Sequence, residues 1–464
     1  MIKESDLDFF KLSVADNFGK IFVYNNNYYR LIYDDSKSEC LDFIHSELFV
    51  KLTELKYIPK TIIDTSIDVE GHPLILWHEK CFEVMLYEWS FEMYKDAAIF
   101  MLKLNKLCNE YGYELKDAHC RNVTFNNGKP IFVDIGSFIK RKGNGWCAKN
   151  EFIQWFYLPL ILWHNGDYYN LRQILETDDL YTTYRLMPSK TVYETDYYTK
   201  MLTCISYFQI KYRNKILKTR SKFIVFLARK INKLFFICLK KNLFGISKHY
   251  KLPSISEIEN IKKHNSITEW QDYHSTNVES RTKRFDRLAE LIKIYCPKGK
   301  TVIDLASNSA EFPIMLNRLG VFDHIIAADY DGNSIDKGYS KLEENSVVDC
   351  MWTNVMRPVN LSSFIPRVKS DIVIALALLH HLILRQHFHI SVIMQRLADY
   401  SNKYVVVEFM PLGLWDGNYA PELPSWYSLE WFKEQFEKYF HLLHIEVLEK
   451  NRIVFIGEKY NTTR

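Results

Sequence analysis

Two acidic residues of this 464-residue chain each end a short apolar segment that reads as a buried β-strand. Asp304 ends the segment TVID, and Asp329 ends HIIAAD, 25 residues later. Ligands of an open α/β sheet bind beyond the carboxyl ends of its strands. A carboxylate at such a place can accept hydrogen bonds from both hydroxyl groups of a ribose. The pair therefore predicts a site for a nucleoside-containing cofactor.

The loop after Asp304 narrows the choice of cofactor. It reads LASNSAEF and lacks the G-x-G-x-x-G pattern that cradles a pyrophosphate. A dinucleotide is therefore not expected. S-adenosylmethionine carries no phosphate, so this loop is compatible with it. Asp304 as a cap of its turn and Asp329 as a solvated carboxylate are the structural alternatives.

A second set of chemically suggestive residues lies in the first half of the chain. Asp117 and Asn122 have the D-x-x-x-x-N spacing of a protein-kinase catalytic loop, and Asp134 begins an Asp-Ile-Gly tripeptide where kinases keep D-F-G. The resemblance implies that Asp117 orients a hydroxyl acceptor. It also implies that Asn122 and Asp134 hold magnesium with ATP. A chance acidic loop and hairpin is the alternative.

The nucleotide clamp of this kinase-like region departs from the kinase pattern. Leu115 and Lys116 stand where kinases have His-Arg, Gly19 is not part of a glycine-rich loop, and the nearest cation on the matching strand is Arg30. An arginine is longer and forked, although it can hold phosphates. We expect a domain used for binding or scaffolding. A working phosphotransferase is the alternative.

The order of predicted elements indicates two folded regions. Residues 1–200 read as mixed α/β, with hairpins at KIFVYNNNYYRLIY and NVTFNNGKPIFVDI and a helix in DAAIFMLKLNKLCNEYGYEL. Residues 265–464 alternate the apolar segments TVIDLA, HIIAAD, DIVIALA and YVVVEF with helical segments, and end in an antiparallel pair. Such alternation predicts a parallel sheet covered by helices on both faces. Residues 201–264 form a connector.

The C-terminal region resembles the class I S-adenosylmethionine-dependent methyltransferases. The segments that carry the resemblance are VIDLASNSAEF, IIAADYD, DIVIALALLHHL and VVVEFMP. More narrowly, the chain resembles a bacterial group related to nodulation proteins, which joins such a domain to a kinase-like region. The fold implied is a Rossmann-like sheet behind a kinase-like α+β domain. The implied cofactor-binding residues are Asp304, Ala306, Asn308, Ala310, Asp329, Tyr330 and Asn354.

The first loop departs from the family's approximate pattern D-L-G-x-N-T-G. Ala306 and Ala310 stand where the glycines fall, and Asn308 is kept. Glycine there lets the backbone approach the methionine part of the cofactor and adopt unusual dihedral angles. The added methyl groups are expected to weaken binding. Asn354 stands where the family tends to have an acid near the adenine.

Three residues after the later strands are candidates for the methyl-transfer step. His380 and His381 follow the strand DIVIALA, where methyltransferases face their substrate, and a neutral histidine can accept a proton from a hydroxyl nucleophile. Glu408 ends the next strand and is a candidate for orienting the substrate. The alternatives are hydrogen-bonded structural histidines and a glutamate that supports other site residues.

Charge and composition indicate which partners and which cellular compartment to expect. The net charge is +4, yet residues 197–256 hold fourteen Lys or Arg and no acid. Within that block, Lys222, Arg229, Lys233 and Lys240 fall on one helical stripe of residues 222–244, which favours a helix at an anionic membrane surface. A helix packed between domains and a nucleic-acid contact are the alternatives, and nucleic acid is the less favoured. Nine scattered cysteines and an N-terminus with no apolar core predict a cytoplasmic protein. The basic stripe adds the expectation of a peripheral position at the inner face of the membrane.

The sequence therefore favours a methyltransferase that uses S-adenosylmethionine. The acceptor would be an oxygen or nitrogen of an envelope glycan, a lipid-linked glycan or a small molecule. A bifunctional kinase–methyltransferase that also uses ATP and magnesium is one alternative. A binding protein in which both nucleotide-type sites have decayed is the other, because Ala306 and Ala310 replace glycines.

Overall fold

The computed structural model describes residues 2–9, 17–72, 74–143, 145–168, 171, 175, 251–264, 268, 278–415, 418–419 and 421–460. The basic segment 222–244 lies outside this part of the chain. The chain divides into two compact units. The first comprises Met1–Cys81, Tyr94–Thr124 and Pro130–Asn265, and the second comprises Phe82–Met93, Phe125–Lys129 and Ser266–Arg464. The boundaries 1–200, 201–264 and 265–464 stay predictions.

The first unit contains a five-stranded sheet in the order β1-β2-β3-β5-β4. Its strands are β1 (Asp8–Phe9), β2 (Gly19–Tyr24), β3 (Asn27–Ile32), β4 (Thr61–Asp64) and β5 (Ile75–His78). The pairing of β2 with β3 is antiparallel and confirms the predicted hairpin. Asn25 and Asn26 turn the chain with φ of 49° and 60°, a conformation that asparagine tolerates better than most residues.

Helices and two short strand pairs accompany this sheet in the part of the chain before residue 265. The strand pairs are β6 (Tyr113–Leu115) with β9 (Phe138–Lys140), and β7 (Val123–Asn126) with β8 (Lys129–Phe132). Asn127 and Gly128, with φ of 56° and 69°, form the predicted tight turn between β7 and β8. The α-helices are Lys37–Ile44, Glu47–Glu54, Phe91–Glu110, Lys149–Phe152, Leu158–His164 and Ile255–Glu259. The kinase-like character of this region stays a prediction.

The second unit is built on a seven-stranded sheet in the order β12-β11-β10-β13-β14-β16-β15. Its strands are β10 (Thr301–Asp304), β11 (His324–Asp329), β12 (Val348–Trp352), β13 (Ser370–Ala375), β14 (Ser401–Phe409), β15 (Phe440–Glu449) and β16 (Arg452–Lys459). Strands β10 to β14 pair in parallel, and β16 runs antiparallel to both β14 and β15. The predicted α/β, Rossmann-like sheet and its closing antiparallel pair are confirmed.

The central strands of this sheet are buried because they are nearly continuous runs of apolar residues. Ile303, Val373 and Val405 are each 0 % exposed at its centre. The helices of this unit are Val278–Tyr295, Glu311–Asn317, Gly332–Tyr339, Leu361–Val368, Ile390–Tyr400 and Leu429–Glu437. Strand order reverses between β10 and β13, so the carboxyl ends of these two strands form the edge at which a ligand crevice is expected.

Two upstream segments belong to the second unit through polar contacts as well as packing. Arg367 donates to both carboxylate oxygens of Glu88, at 2.6 and 3.0 Å, and Glu88 is 1 % exposed. The carboxylate of Asp349 accepts the backbone N–H groups of Gly128 and Asn127 at 2.7 and 3.1 Å. These contacts satisfy charges that the fold has buried, which makes residues 82–93 and 125–129 integral to this unit.

Candidate functional site

A cavity of about 290 Å³ lies at the carboxyl edge of the second unit's sheet. It spans the point between β10 and β13 where strand order reverses, as the fold rule for such sheets predicts. Its walls come from the helix Val278–Tyr295 and from the segments after β10, β11, β12 and β13. The lining residues are Arg284, Phe285, Asp304, Leu305, Ala306, Ser307, Asn308, Phe312, Asp329, Tyr330, Thr353, Asn354, Val355, Met356, Leu376, Ala377, Leu378, His381, Leu382, Arg385 and Gln386.

Asp304 is a cavity-lining carboxyl group that the fold has almost removed from water. It is 3 % exposed, and its Oδ1 has no hydrogen-bond partner among the described residues. Burial, with a smaller contribution from the charge of Asp329, raises the pKa of Asp304 to about 8. The neighbouring Ser307 Oγ is also buried and has no hydrogen-bond partner in the same part of the chain. Buried polar atoms in this state are typical of ligand sites.

Asp329 ends the adjacent strand β11, and both of its carboxylate oxygens accept hydrogen bonds. Its Oδ2 accepts the N–H of Asn308, and its Oδ1 accepts the N–H of Asp331, both at 2.8 Å. Burial raises the pKa of this carboxyl group to about 6, against the lowering effect of those hydrogen bonds. Each carboxylate oxygen retains lone-pair capacity beyond one hydrogen bond. Asp329 is thus held in place and can still accept hydrogen bonds from a diol.

The loop between Asp304 and the helix Glu311–Asn317 adopts the backbone conformation of a glycine-rich loop without its glycines. Asn308 has φ of 49° and Ala310 has φ of 54°, which costs an alanine roughly 1–2 kcal/mol. Ala310 is fully buried and does not line the cavity. A Cβ added at Gly338 would lie 2.9 Å from the Ala310 methyl group, so the glycine makes room for it. Ala306 lines the cavity at ordinary φ.

The opposite wall is formed by the segment after β13. Ala377 has φ of 49°, and residues His381–Arg385 form a π-helical turn, a feature that is frequent at functional sites. The two histidines predicted as candidates occupy different places relative to the cavity. His381 lines the cavity, whereas His380 lies behind it with the two ring centroids 4.0 Å apart. Burial lowers the pKa of His380 to about 2, so this side chain stays neutral.

Glu408 is placed behind the cavity wall rather than on it. It is 0 % exposed and does not belong to the lining. Its carboxylate accepts the N–H of Ala377 at 3.0 Å and pairs with Arg284 at 3.3 Å and Arg452 at 2.8 Å. Both Ala377 and Arg284 line the cavity. Glu408 therefore fixes two parts of the wall, and this geometry favours the supporting role over direct contact with a substrate.

The remaining predicted residues, Tyr330 and Asn354, also line the cavity. Tyr330 is 58 % exposed, and the Oδ1 of Asn354 accepts the N–H groups of Met356 and Arg357, both at 3.0 Å. The sequence analysis missed Arg284 and Arg385. Arg284 lies on a helix with charged residues in every turn, so no pattern singles it out.

The kinase-like residues lie in the first half of the chain. Asp117 accepts the N–H of His119 at 3.1 Å and is hydrogen-bonded to Glu151, whose pKa is raised to about 7 by burial and by this contact. Asn122 ends a 3₁₀ turn that precedes β7. Asp134 accepts hydrogen bonds from the N–H of Gly136 at 3.1 Å and from the hydroxyl group of Ser137 at 2.6 Å.

Asp134 also pairs with Arg30, the cation singled out on β3. The distance between Arg30 Nη1 and Asp134 Oδ1 is 3.5 Å, and Arg30 is 3 % exposed. The described residues contain no group of three or more His, Cys, Asp or Glu side chains placed to hold a metal ion. The magnesium and ATP roles of Asn122 and Asp134 stay predictions.

Comparison with known proteins gives one curated relative. No protein-family profile matches the chain. The chain is 24% identical over 359 residues to the nodulation protein NoeA of Rhizobium meliloti (strain 1021), a match that covers 70% of this chain and 68% of that protein. None of the helices that the structure describes is both long and apolar enough to cross a membrane.

Several of the similar solved structures are methyltransferases. One is the N-methyltransferase NodS of Bradyrhizobium japonicum WM9 with S-adenosyl-L-homocysteine, at 8% identity, covering 41% of this chain and 93% of that chain, with a TM-score of 0.31. Another is an S-adenosylmethionine-dependent methyltransferase of Aquifex aeolicus, at 13% identity, covering 42% and 100%, with a TM-score of 0.33. At these scores the fold assignment rests on the strand order of the chain itself.

Proposed function

We propose that the chain is an S-adenosylmethionine-dependent methyltransferase that acts on an oxygen or nitrogen nucleophile. The observation that carries this proposal is the pair of buried carboxyl groups, Asp304 and Asp329, facing one cavity where strand order reverses. Such a pair suits a cofactor that has both a ribose diol and the ammonium group of an amino acid. The loop after Asp304 has no cradle for a pyrophosphate, which disfavours a dinucleotide.

The residues present fit this cofactor. Asp329 would accept the ribose hydroxyl groups, and the buried Oδ1 of Asp304, with the hydroxyl group of Ser307, would receive the ammonium group. Tyr330 and Asn354 would border the adenine, while Ala306 and Asn308 would bring the backbone close to the methionine part. When bound, S-adenosylmethionine supplies an electrophilic methyl group on a sulfonium.

The chain's own contribution would be positioning and one proton acceptor. His381 lines the cavity on a turn held by neighbouring contacts, so its imidazole would take the proton of the nucleophile. His380 stays neutral behind it and packs against its ring. Glu408 would keep Ala377 and Arg284 in place. The acceptor that we favour is an envelope or lipid-linked glycan, reached by a cytoplasmic protein at the inner membrane surface.

Calorimetric titration with S-adenosyl-L-homocysteine tests the cofactor site. We expect saturable binding by the full chain and a loss of at least about tenfold in affinity for Asp329→Asn, because hydrogen bonds to a charged acceptor are lost. Asp323→Asn is the matched control, since Asp323 is exposed and directly precedes the first residue of β11, whereas Asp329 is its last residue. No heat with the unmodified chain, or equal affinities for the three proteins, would rule out the proposal.

A bifunctional enzyme that also phosphorylates its acceptor is the second candidate. The observation that favours it is the buried Arg30 paired with Asp134, which places a cation beside the acid of the Asp-Ile-Gly tripeptide. This reading requires ATP turnover that depends on magnesium and is abolished by Asp134→Asn. Turnover that is undetectable with glycan and small-molecule acceptors, or that survives the substitution, would exclude it.

A further inference from the structure

Asp329 belongs to a closed ring of four hydrogen-bonded residues beside the cavity. The N–H of Asn308 donates to Oδ2 of Asp329 at 2.8 Å, and the side-chain amide of Asn308 donates to the hydroxyl oxygen of Ser334 at 3.2 Å. That hydroxyl group donates to Oδ2 of Asp331 at 2.7 Å, and the N–H of Asp331 donates to Oδ1 of Asp329 at 2.8 Å, which closes the ring. We call Asn308, Asp329, Asp331 and Ser334 the polar ring.

The polar ring lies almost entirely away from water. Its members are between 0 and 7 % exposed, and Ser334 is fully buried. Hydrogen bonds in such surroundings are electrostatically strong, and a fully connected network makes each member rigid. Asn308 and Asp329 line the cavity, whereas Asp331 and Ser334 do not. The second pair can therefore act on a ligand only through the first pair.

Asp331 anchors the polar ring to two further parts of the second unit. Its Oδ1 accepts the N–H of Asn333 at 3.1 Å and so caps the helix Gly332–Tyr339. Its Oδ2 accepts the hydroxyl group of Thr268 at 2.8 Å in addition to that of Ser334. This carboxylate cannot rotate without breaking at least one of these three bonds. Asp331 is therefore a fixed acceptor against which Ser334 is oriented.

The polar ring also accounts for the conformation of the loop after β10, which contains no glycine. Asn308 has φ of 49°, a left-handed conformation that asparagine tolerates because its side chain can bond locally. Its Oδ1 accepts the N–H of Ser309 at 2.8 Å, and its amide nitrogen is directed at Ser334. The bond to Ser334 therefore stabilises a backbone conformation that a glycine would adopt without such help.

We propose that Ser334 and Asp331 are positioning residues for the cofactor, which keep both carboxylate oxygens of Asp329 directed at the two ribose hydroxyl groups. This inference rests on the proposed methyltransferase function. Each oxygen of Asp329 accepts one N–H bond from the polar ring and keeps capacity for a second bond. Loss of the Ser334 hydroxyl group releases the side chain of Asn308, whose N–H holds Oδ2 of Asp329. The affinity lost in this way depends on the ribose hydroxyl groups.

The test compares two ligands by calorimetric titration of the full chain, S-adenosyl-L-homocysteine and its 2′,3′-dideoxy analogue. The unmodified chain should prefer S-adenosyl-L-homocysteine by at least about tenfold, because the analogue leaves the acceptors of Asp329 unpaired. Ser334→Ala should lose most of this preference, through an affinity for S-adenosyl-L-homocysteine that is about tenfold weaker and an affinity for the analogue that is unchanged. Asp331→Asn should act in the same direction. The double variant should lose little more than the stronger single variant, because both substitutions break one ring.

Ser428→Ala is the matched control for the loss of a hydroxyl group. Ser428 caps the helix Leu429–Glu437, where its Oγ accepts the N–H of Trp431 at 3.1 Å, and it does not line the cavity. The control should lower the melting temperature and leave both affinities unchanged. A general loss of stability is thereby separated from a loss of positioning, which alone changes the preference between the two ligands.

Unchanged affinity of Ser334→Ala for S-adenosyl-L-homocysteine, or equal losses for the two ligands, would overturn the positioning role and leave the proposed cofactor site standing. An unmodified chain that binds both ligands equally would do the same. If the unmodified chain binds neither ligand, the proposed function fails together with this inference. Circular dichroism checks that the variants fold. If Ser334→Ala does not fold, Asp331→Asn carries the same comparison, since asparagine keeps an oxygen for the helix cap.

Discussion

Asp304 is a carboxyl group that the fold removes almost entirely from water. Its pKa is about 8 in the folded chain, against 3.8 for an ordinary aspartate, because burial penalises the charged form. Between those values the folded state holds a proton that the unfolded state has released. The free energy of unfolding therefore falls as pH rises from about 4 to about 8, by up to about 1.4 kcal/mol for each pH unit. Asp329, with a pKa of about 6, acts in the same direction up to that pH.

We expect Asp304→Asn to remove most of this pH dependence. Its melting temperature should exceed that of the unmodified chain by more at pH 8 than at pH 4, because asparagine carries no charge to bury. Thermal unfolding across this pH range measures the difference. Asp323→Asn, at an exposed position, should leave the curve unchanged. Parallel curves for Asp304→Asn and the unmodified chain would contradict a raised pKa.

At the scale of elements, the sequence predicted the strands that are uniformly apolar and missed the elements whose residues break that pattern. Strands β10, β11, β13 and β14 are apolar, β-branched runs, and all were expected. Strand β12 was missed because its sequence VDCMW carries a buried aspartate that finds partners only in the folded unit. The helix Leu361–Val368 was also missed, because it contains Pro366, a residue that usually breaks the interior of a helix.

Site residues divide in the same way. Those at strand ends, such as Asp304 and Asp329, were found because the strands place them. Arg284 was not found, since only tertiary contact brings it to the cavity. Glu408 was found as a strand-end acid, but its place behind the wall depends on Arg284 and Arg452, which lie on other elements.

The buried pair between the helix Leu361–Val368 and Glu88 gives a second prediction. Arg367→Leu should lower the free energy of unfolding by about 3–5 kcal/mol, because it leaves the carboxylate of Glu88 buried without its partner. Adding Glu88→Leu should restore most of the loss. Urea denaturation of both variants measures this.

The control is an exposed pair of the same kind. Arg318 and Glu343 are 63% and 56% exposed, so Arg318→Leu should cost less than about 1 kcal/mol. A loss for Arg367→Leu no larger than that of the control would show that the buried pair contributes little. Failure of the double variant to recover would show that packing, rather than charge, dominates.

On the scale of the whole molecule, the second unit cannot be excised at one peptide bond. A fragment of residues 266–464 would lack Glu88, the N–H groups of Asn127 and Gly128, and the buried rings of Trp89 and Phe125. We expect it to show no cooperative thermal transition, whereas the full chain should unfold cooperatively. Calorimetry of both proteins measures this. A fragment with a sharp transition near that of the full chain would contradict the assignment of the two upstream segments.

The separation of Glu88 from Arg367 along the chain also delays their pairing during synthesis. The two residues are 279 positions apart in the chain. At ribosomal rates of about 5–20 residues per second, the second emerges roughly 15 to 55 seconds after the first. During that interval Trp89 and Phe125 belong to a unit whose sheet has yet to be made. The apolar side chains of these segments therefore stay without their final packing partners until the second unit has been synthesised. The yield of folded protein in the cell will depend on what shields them from aggregation during that time.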